Sequence, residues 1–167
     1  MTTRTLDFAH VFARSEIRSF LAEHLIEQCI ATKSRLHAYV IMVNHVHFLL
    51  RLNENLVVSE FVQKYKGDTA KKVLKSLEPY ELQELSSQSV LNQRQLWAFR
   101  YRALPIVSQH MFSQKVRYIH QNPVRAKQAS SPEKCRHSSA LFYEQGLWNP
   151  DEGLDLVRCL DILRERD

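Results

Sequence analysis

Two imidazoles one residue apart, His45 and His47, and a tyrosine followed four positions later by an asparagine, Tyr118 and Asn122, have types and spacing that could do chemistry. In a strand, residues i and i+2 share a face, so both rings can turn to one ion while Val46 and Phe48 enter the opposite side. An H-x-H triplet is common by chance in a chain with eight histidines, and two imidazoles on a solvated sheet face are the plainer reading. The setting speaks for metal: the pair opens an apolar strand, where a partly buried imidazole needs a partner to offset its desolvation.

In VRYIHQNPVRA, Tyr118 and Asn122 stand one helical turn apart on the same face, so a phenol oxygen and an amide oxygen can reach a common point. A phenol with a pKa near 10 is a poor nucleophile at neutral pH, and a divalent cation would favour its phenolate. A helical tyrosine is more often a core or interface residue, and Tyr39, Tyr65, Tyr80, Tyr101 and Tyr143 compete for the role. None of them combines the paired amide with a following proline. His120 is two residues past Tyr118, about 200° around the helix, and is poorly placed to shuttle its proton.

These side chains need a frame. Ile17, Phe20, Leu21, Leu25 and Cys29 recur at helical spacing and predict a helix from Ser15 to about Ala31. Leu36 to Met42, a Val43-Asn44 turn and His45 to Leu52 read as two strands joined tightly. Leu56 to about Leu77 reads as a helix with Val58, Phe61, Val62 and Tyr65 on one side. Its lysines Lys64, Lys71, Lys72 and Lys75 are as well explained by a solvated face as by contact with phosphate. Glu78 to Arg94 reads as loop or short helices. Gln95 to Ile106 predicts a strand with Arg100 and Arg102 on one face, ending near Pro105. Ser108 caps a helix expected to stop at about Asn122 before Pro123, and a last helix is expected from Asp151 to Arg166.

Composition sets wider bounds. With 44% apolar and 25% charged residues the chain is ordinary for one globular domain, expected over 1–167 with 147–167 as a C-terminal helical tail. A formal charge of +5 suits a polyanionic partner without requiring one. Cys29, Cys135 and Cys159 form no C-x-x-C pair, so neither a disulfide framework nor a zinc ribbon is implied, and a reducing cytoplasm is the natural location. No signal-peptide pattern or membrane-length apolar run is present, so a soluble chain that stays in the cell is expected.

Taken in order, AYVIMVNHVHFLL, QLWAFRYRALPI, VRYIHQNPVRA and HSSALFYEQG resemble the HUH single-tyrosine transposases, particularly the REP-associated tyrosine transposases, from about residue 10 to 146. The resemblance implies an α+β fold, a ferredoxin-like or RRM-like antiparallel sheet with helices packed on one face and the catalytic site on the other. It implies that His45 and His47 bind a divalent metal, Mg²⁺ or Mn²⁺, that Tyr118 is the nucleophile, and that Asn122 is a third metal ligand. The implied activity is cleavage and rejoining of single-stranded DNA through a 5′-phosphotyrosine, at hairpin-containing repeats. The alternative is an inactive or domesticated module that only binds DNA hairpins. Arg100, Arg102, Lys115, Arg117 and Arg125 are available for backbone phosphates, and Trp97, Phe99 or Tyr101 for stacking on unpaired bases. Relatives of this kind act as monomers or as homodimers that exchange the tyrosine helix, and both states stay open. The family also implies a fuller first strand than the residues around Thr3-Arg4-Thr5 provide, so a short strand with fewer sheet hydrogen bonds is expected there.

Overall fold

The first long apolar stripe folds as its spacing dictates. In the computed structural model, which describes residues 1–77 and 95–165, helix α1 spans Ser15–Ala31 and buries Ile17, Leu21, Leu25 and Cys29. It ends in a left-handed Lys33 (φ 52°), with Ser34 N–H donating to the Cys29 carbonyl and Lys33 N–H to that of Ile30. Two otherwise orphaned carbonyls are thereby satisfied, and the chain reverses directly into the sheet.

Strands β2 (Arg35–Ile41) and β3 (His45–Arg51) form the expected hairpin, with Met42 N–H donating to the His45 carbonyl across the turn. The pairing slips at His37, between Leu36 and Ala38, so one extra residue shifts the alternation along β2. A short strand β1 (Thr2–Arg4) lies antiparallel on the other side of β3, setting Thr2 opposite His47 and Arg4 opposite His45.

The segment expected as a strand over Gln95 to Ile106 follows the free edge of β1 only in part. Trp97 bridges Thr5 and Arg102 bridges Thr2, so four residues on one side face two on the other. The ladder cannot stay regular across that mismatch, and the expectation that Arg100 and Arg102 share a strand face is corrected on this ground. Residues 137–139 cover the opposite edge of the sheet, where Ile41 N–H donates to the His137 carbonyl and Ser139 N–H to that of Tyr39.

Helix α2 (Val58–Ser76) packs beside α1 on one face of the sheet, against Leu36, Tyr39, Ile41, Val46 and Phe48. Of its lysines, Lys64 pairs with Asp68 at 2.8 Å and Lys72 lies over the Phe20 ring at 4.1 Å. Helix α3 (Gln109–Arg125) crosses the other face, where Ile119 is packed with Ala38, Val40, Met42 and Leu49. Ser108 caps α3 as expected, accepting from Met111 N–H at 3.2 Å. The expected stop at Asn122 is corrected: α3 runs through Pro123 to Arg125. A proline so near the end costs one bond to the Ile119 carbonyl, and the turn then closes through Gln128 N–H onto the Pro123 carbonyl.

Beyond α3, helix α4 (Ala140–Glu144) leads to a two-stranded hairpin of β4 (Trp148–Asn149) and β5 (Gly153–Leu154), and then to helix α5 (Leu156–Arg164). The last helix therefore starts at Leu156, not Asp151. Asn149 Oδ1 accepts from the Asp151 and Glu152 amides, and Gly153 at φ 84° holds the hairpin turn, so Asp155 becomes the cap. Leu154, Cys159, Leu160 and Leu163 join the core of α1, and Arg164 pairs with Glu27 at 2.7 Å. The loop expectation for Glu78 to Arg94 lies outside the described residues. Among the described residues no helix is long and apolar enough to cross a membrane.

Candidate active site

Alternation along β3 turns Val46 and Phe48 into the α1/α2 core, so His45 and His47 must face the side of the sheet that α3 crosses. Their rings meet edge to face with centroids 4.8 Å apart. Tyr118, 41% exposed, brings its ring to 5.4 Å from that of His47, also edge to face. A strand and a helix some seventy residues apart in sequence thus place two imidazoles and one phenol side by side.

Both imidazoles hydrogen-bond through Nδ1. The His45 Nδ1 lies 2.6 Å from Asn44 Oδ1, and the His47 Nδ1 lies 2.7 Å from Thr2 Oγ1. The Asn44 amide is oriented by a second contact, since its Nδ2 donates to the Phe8 carbonyl at 3.1 Å. A carbonyl can only accept, so Asn44 must present its oxygen to His45, and the His45 Nδ1 must carry the proton. The lone pair is then on Nε2, as a metal ligand requires. Burial lowers the pKa of His45, and burial with the neighbouring His45 ring pushes that of His47 down to about 3. Both rings are therefore neutral at physiological pH, the form that coordinates metal.

The donor set is lean. Among the described residues no three His, Cys, Asp or Glu side chains converge. Asn122 spends its Nδ2 on the Tyr118 carbonyl at 2.8 Å, which leaves Oδ1 as the atom it could offer, and it shares a groove with both histidines. Two neutral imidazoles and one amide oxygen fit a divalent cation that keeps water or substrate oxygens in its remaining positions.

The groove encloses about 710 Å³, and its lining includes His45, His47, Tyr118 and Asn122 with Arg4, Arg100, Arg102, Phe8, Phe99 and Tyr101. A contiguous hollow of about 600 Å³ adds Lys115. No carboxylate lines either. Lys115 and Arg125 lie 5.7 and 5.9 Å from the Tyr118 ring centre, so positive charge surrounds the phenol.

Of the residues expected to meet phosphate, Arg100, Arg102 and Lys115 line these hollows and Arg125 stands over the Tyr118 ring, whereas Arg117 is exposed on another side of α3. Trp97 is corrected as a stacking residue: it is 4% exposed, packs against Phe12, and donates its indole N–H to Thr69 Oγ1 at 3.0 Å. Phe99, by contrast, is 79% exposed. His120 turns away from Tyr118 into the fold, where it bonds Ser139 Oγ at 2.9 Å. Sequence reading missed Thr2, Arg4, Phe8 and Asn44. Asn44 was legible only as a turn residue, and nothing in the spacing of the other three tied them to the histidines.

The model of the family described as transposase, IS200-like, matches residues 8–122. The fold is similar to a REP-associated tyrosine transposase solved bound to a REP hairpin, with a TM-score of 0.66 and 16% identity over 93% of this chain and 84% of that one. It is also similar to a candidate transposase from Deinococcus radiodurans R1, with a TM-score of 0.51 and 24% identity over 72% of this chain and 85% of the other. No curated protein matches the chain.

Proposed function

The chain belongs to the IS200-like transposase family, and on that premise we propose that it cleaves and rejoins single-stranded DNA through a covalent bond between Tyr118 and a 5′-phosphate, at hairpin-containing repeats. The observation that carries this reading is the meeting of Tyr118 with the His47 ring at 5.4 Å, in a groove whose charged lining is wholly cationic.

His45, His47 and Asn122 would hold a divalent cation, Mg²⁺ or Mn²⁺. When bound, it would neutralise charge on the scissile phosphate and favour the phenolate. Tyr118 Oη attacks phosphorus, the bond from phosphorus to the 3′-oxygen breaks, and the phenolic proton leaves to water while the departing oxygen gains one. A 5′-phosphotyrosine and a free 3′-OH result. The bond energy stays in the ester, so a second 3′-OH can reverse the attack and join strands without a nucleotide cofactor. Arg4, Arg100 and Arg102 seat the backbone, and Lys115 and Arg125 add positive charge around Tyr118.

The hairpin substrate is suggested by the structural neighbour solved with a REP hairpin. The test incubates the protein with labelled single-stranded hairpin DNA and Mn²⁺ and looks for an adduct that survives denaturing electrophoresis. An adduct that disappears in Tyr118→Phe supports the reading. No adduct across a broad DNA library would leave a module that binds hairpins without cutting them.

A further inference from the structure

The rim of the groove next to His45 is built at a cost that the chemistry above does not use. Asp7 and Phe8 both adopt left-handed backbone conformations, at φ 49° and 59°, although neither is glycine. For a bulky residue such as phenylalanine this is a strained state that the surroundings must hold in place. The strained turn leaves the Phe8 ring 58% exposed, with the Arg4 guanidinium 4.0 Å from its centre. Folding alone gains little from an exposed ring on a strained backbone.

The turn is closed by Ala9 N–H donating to the Leu6 carbonyl and Thr5 Oγ1 to that of Ala9, and it is also tied to the histidine side of the site. Asn44 Nδ2 donates to the Phe8 carbonyl while Asn44 Oδ1 accepts from His45. One amide therefore ties the Phe8 backbone to the candidate metal ligand. Phe99, the most exposed aromatic of the neighbouring edge segment, lines the same groove.

We propose that Phe8, backed by Arg4, is a stacking platform for an unpaired nucleobase of the DNA strand whose phosphate lies at His45 and Tyr118. The occupant follows from the surroundings. A flat apolar ring backed by a guanidinium favours a planar π-system, and the cationic lining with no carboxylate favours a polyanion that carries one. A single-stranded nucleic acid offers both in repeat, with its bases free to turn outward. The inference rests on the transposase reading and assigns that site a base-binding residue.

The experiment compares two fluorescein-labelled probes of equal length, oligo(dT) and the same backbone with every base removed, by anisotropy in the Tyr118→Phe background so that no covalent adduct forms. The protein should prefer oligo(dT). Phe8→Ala should lose roughly tenfold on oligo(dT) and far less on the abasic probe, as loss of one stacked base requires. Phe8→Tyr, which keeps the ring, should retain the preference. A preference for oligo(dT) that is unchanged in Phe8→Ala overturns the platform and leaves the transposase reading standing, as does an equal loss on both probes. Failure of the Tyr118→Phe protein to bind either probe while it still binds hairpin DNA overturns the platform alone, and failure to bind hairpin DNA as well overturns the transposase reading with it.

Discussion

Replacing Asn44 separates metal affinity from fold stability. Its Oδ1 accepts from His45 Nδ1 at 2.6 Å and its Nδ2 donates to the Phe8 carbonyl at 3.1 Å. In Asn44→Ala the His45 ring loses the acceptor that fixes its tautomer, and it gains freedom to rotate. Partners of this kind typically contribute 10- to 100-fold to metal affinity, or about 1.4–2.7 kcal/mol. Of the two lost hydrogen bonds the one to Phe8 is exposed and the one to His45 is partly buried, so unfolding stability should fall by only about 1 kcal/mol. Asn44→Asp keeps an acceptor for His45 and loses the donor to Phe8, so its affinity should stay within about a factor of three of the original. Calorimetric titration with Mn²⁺, set beside denaturant unfolding of each variant, makes the comparison. Wild-type affinity in Asn44→Ala, or equal losses in the alanine and aspartate variants, would refute the claim that the amide orients His45.

Other outcomes follow from the same geometry. A Cβ on Gly153 would lie 2.5 Å from the Leu36 carbonyl oxygen at φ 84°, so Gly153→Ala should destabilise the fold by about 3 kcal/mol in denaturant titration. Lys66 donates to the Ala98 and Phe99 carbonyls at 2.6 and 3.2 Å. Lys66→Met should therefore speed hydrogen exchange of the backbone amides between 97 and 102 and weaken DNA binding, with far-UV circular dichroism unchanged. Burial first, and then Arg35 and Arg51, lower the pKa of His37 below 6.5, so the unfolded chain takes up a proton there before the folded one does. Its contribution is whole above about pH 6.5 and is lost as pH falls, until the folded ring also protonates. Unfolding free energy measured against pH should thus decline less steeply below 6.5 in His37→Gln.

What could be read from the sequence was what local periodicity controls. The bounds of α1, the β2/β3 hairpin, the shared face of His45 and His47 and the Ser108 cap all follow from residue spacing and turn chemistry, and the structure has them. What could not be read depends on a distant partner. The irregular course of residues 97–102 is set by the two residues of β1 that oppose it, and no pattern within QLWAFRYRAL carries that count. Trp97 is core and Phe99 exposed for the same reason, although both are aromatic residues in one segment. Pro123 sits close enough to the end of α3 for the helix to pass it. The strained turn at Asp7 and Phe8 lies in a stretch with no periodicity, and an aromatic beside an aspartate there is the one signal that could have drawn attention to it.

The central claim is that the Tyr118 oxygen becomes covalently bonded to DNA. The direct measurement is mass spectrometry of the protein after reaction with hairpin DNA and Mn²⁺, nuclease trimming and tryptic digestion. The peptide from Tyr118 to Arg125 should carry a nucleotide on its tyrosine, and it should be unmodified without metal. A nucleotide on another residue, or an unmodified peptide in a reaction that has cleaved DNA, would contradict it.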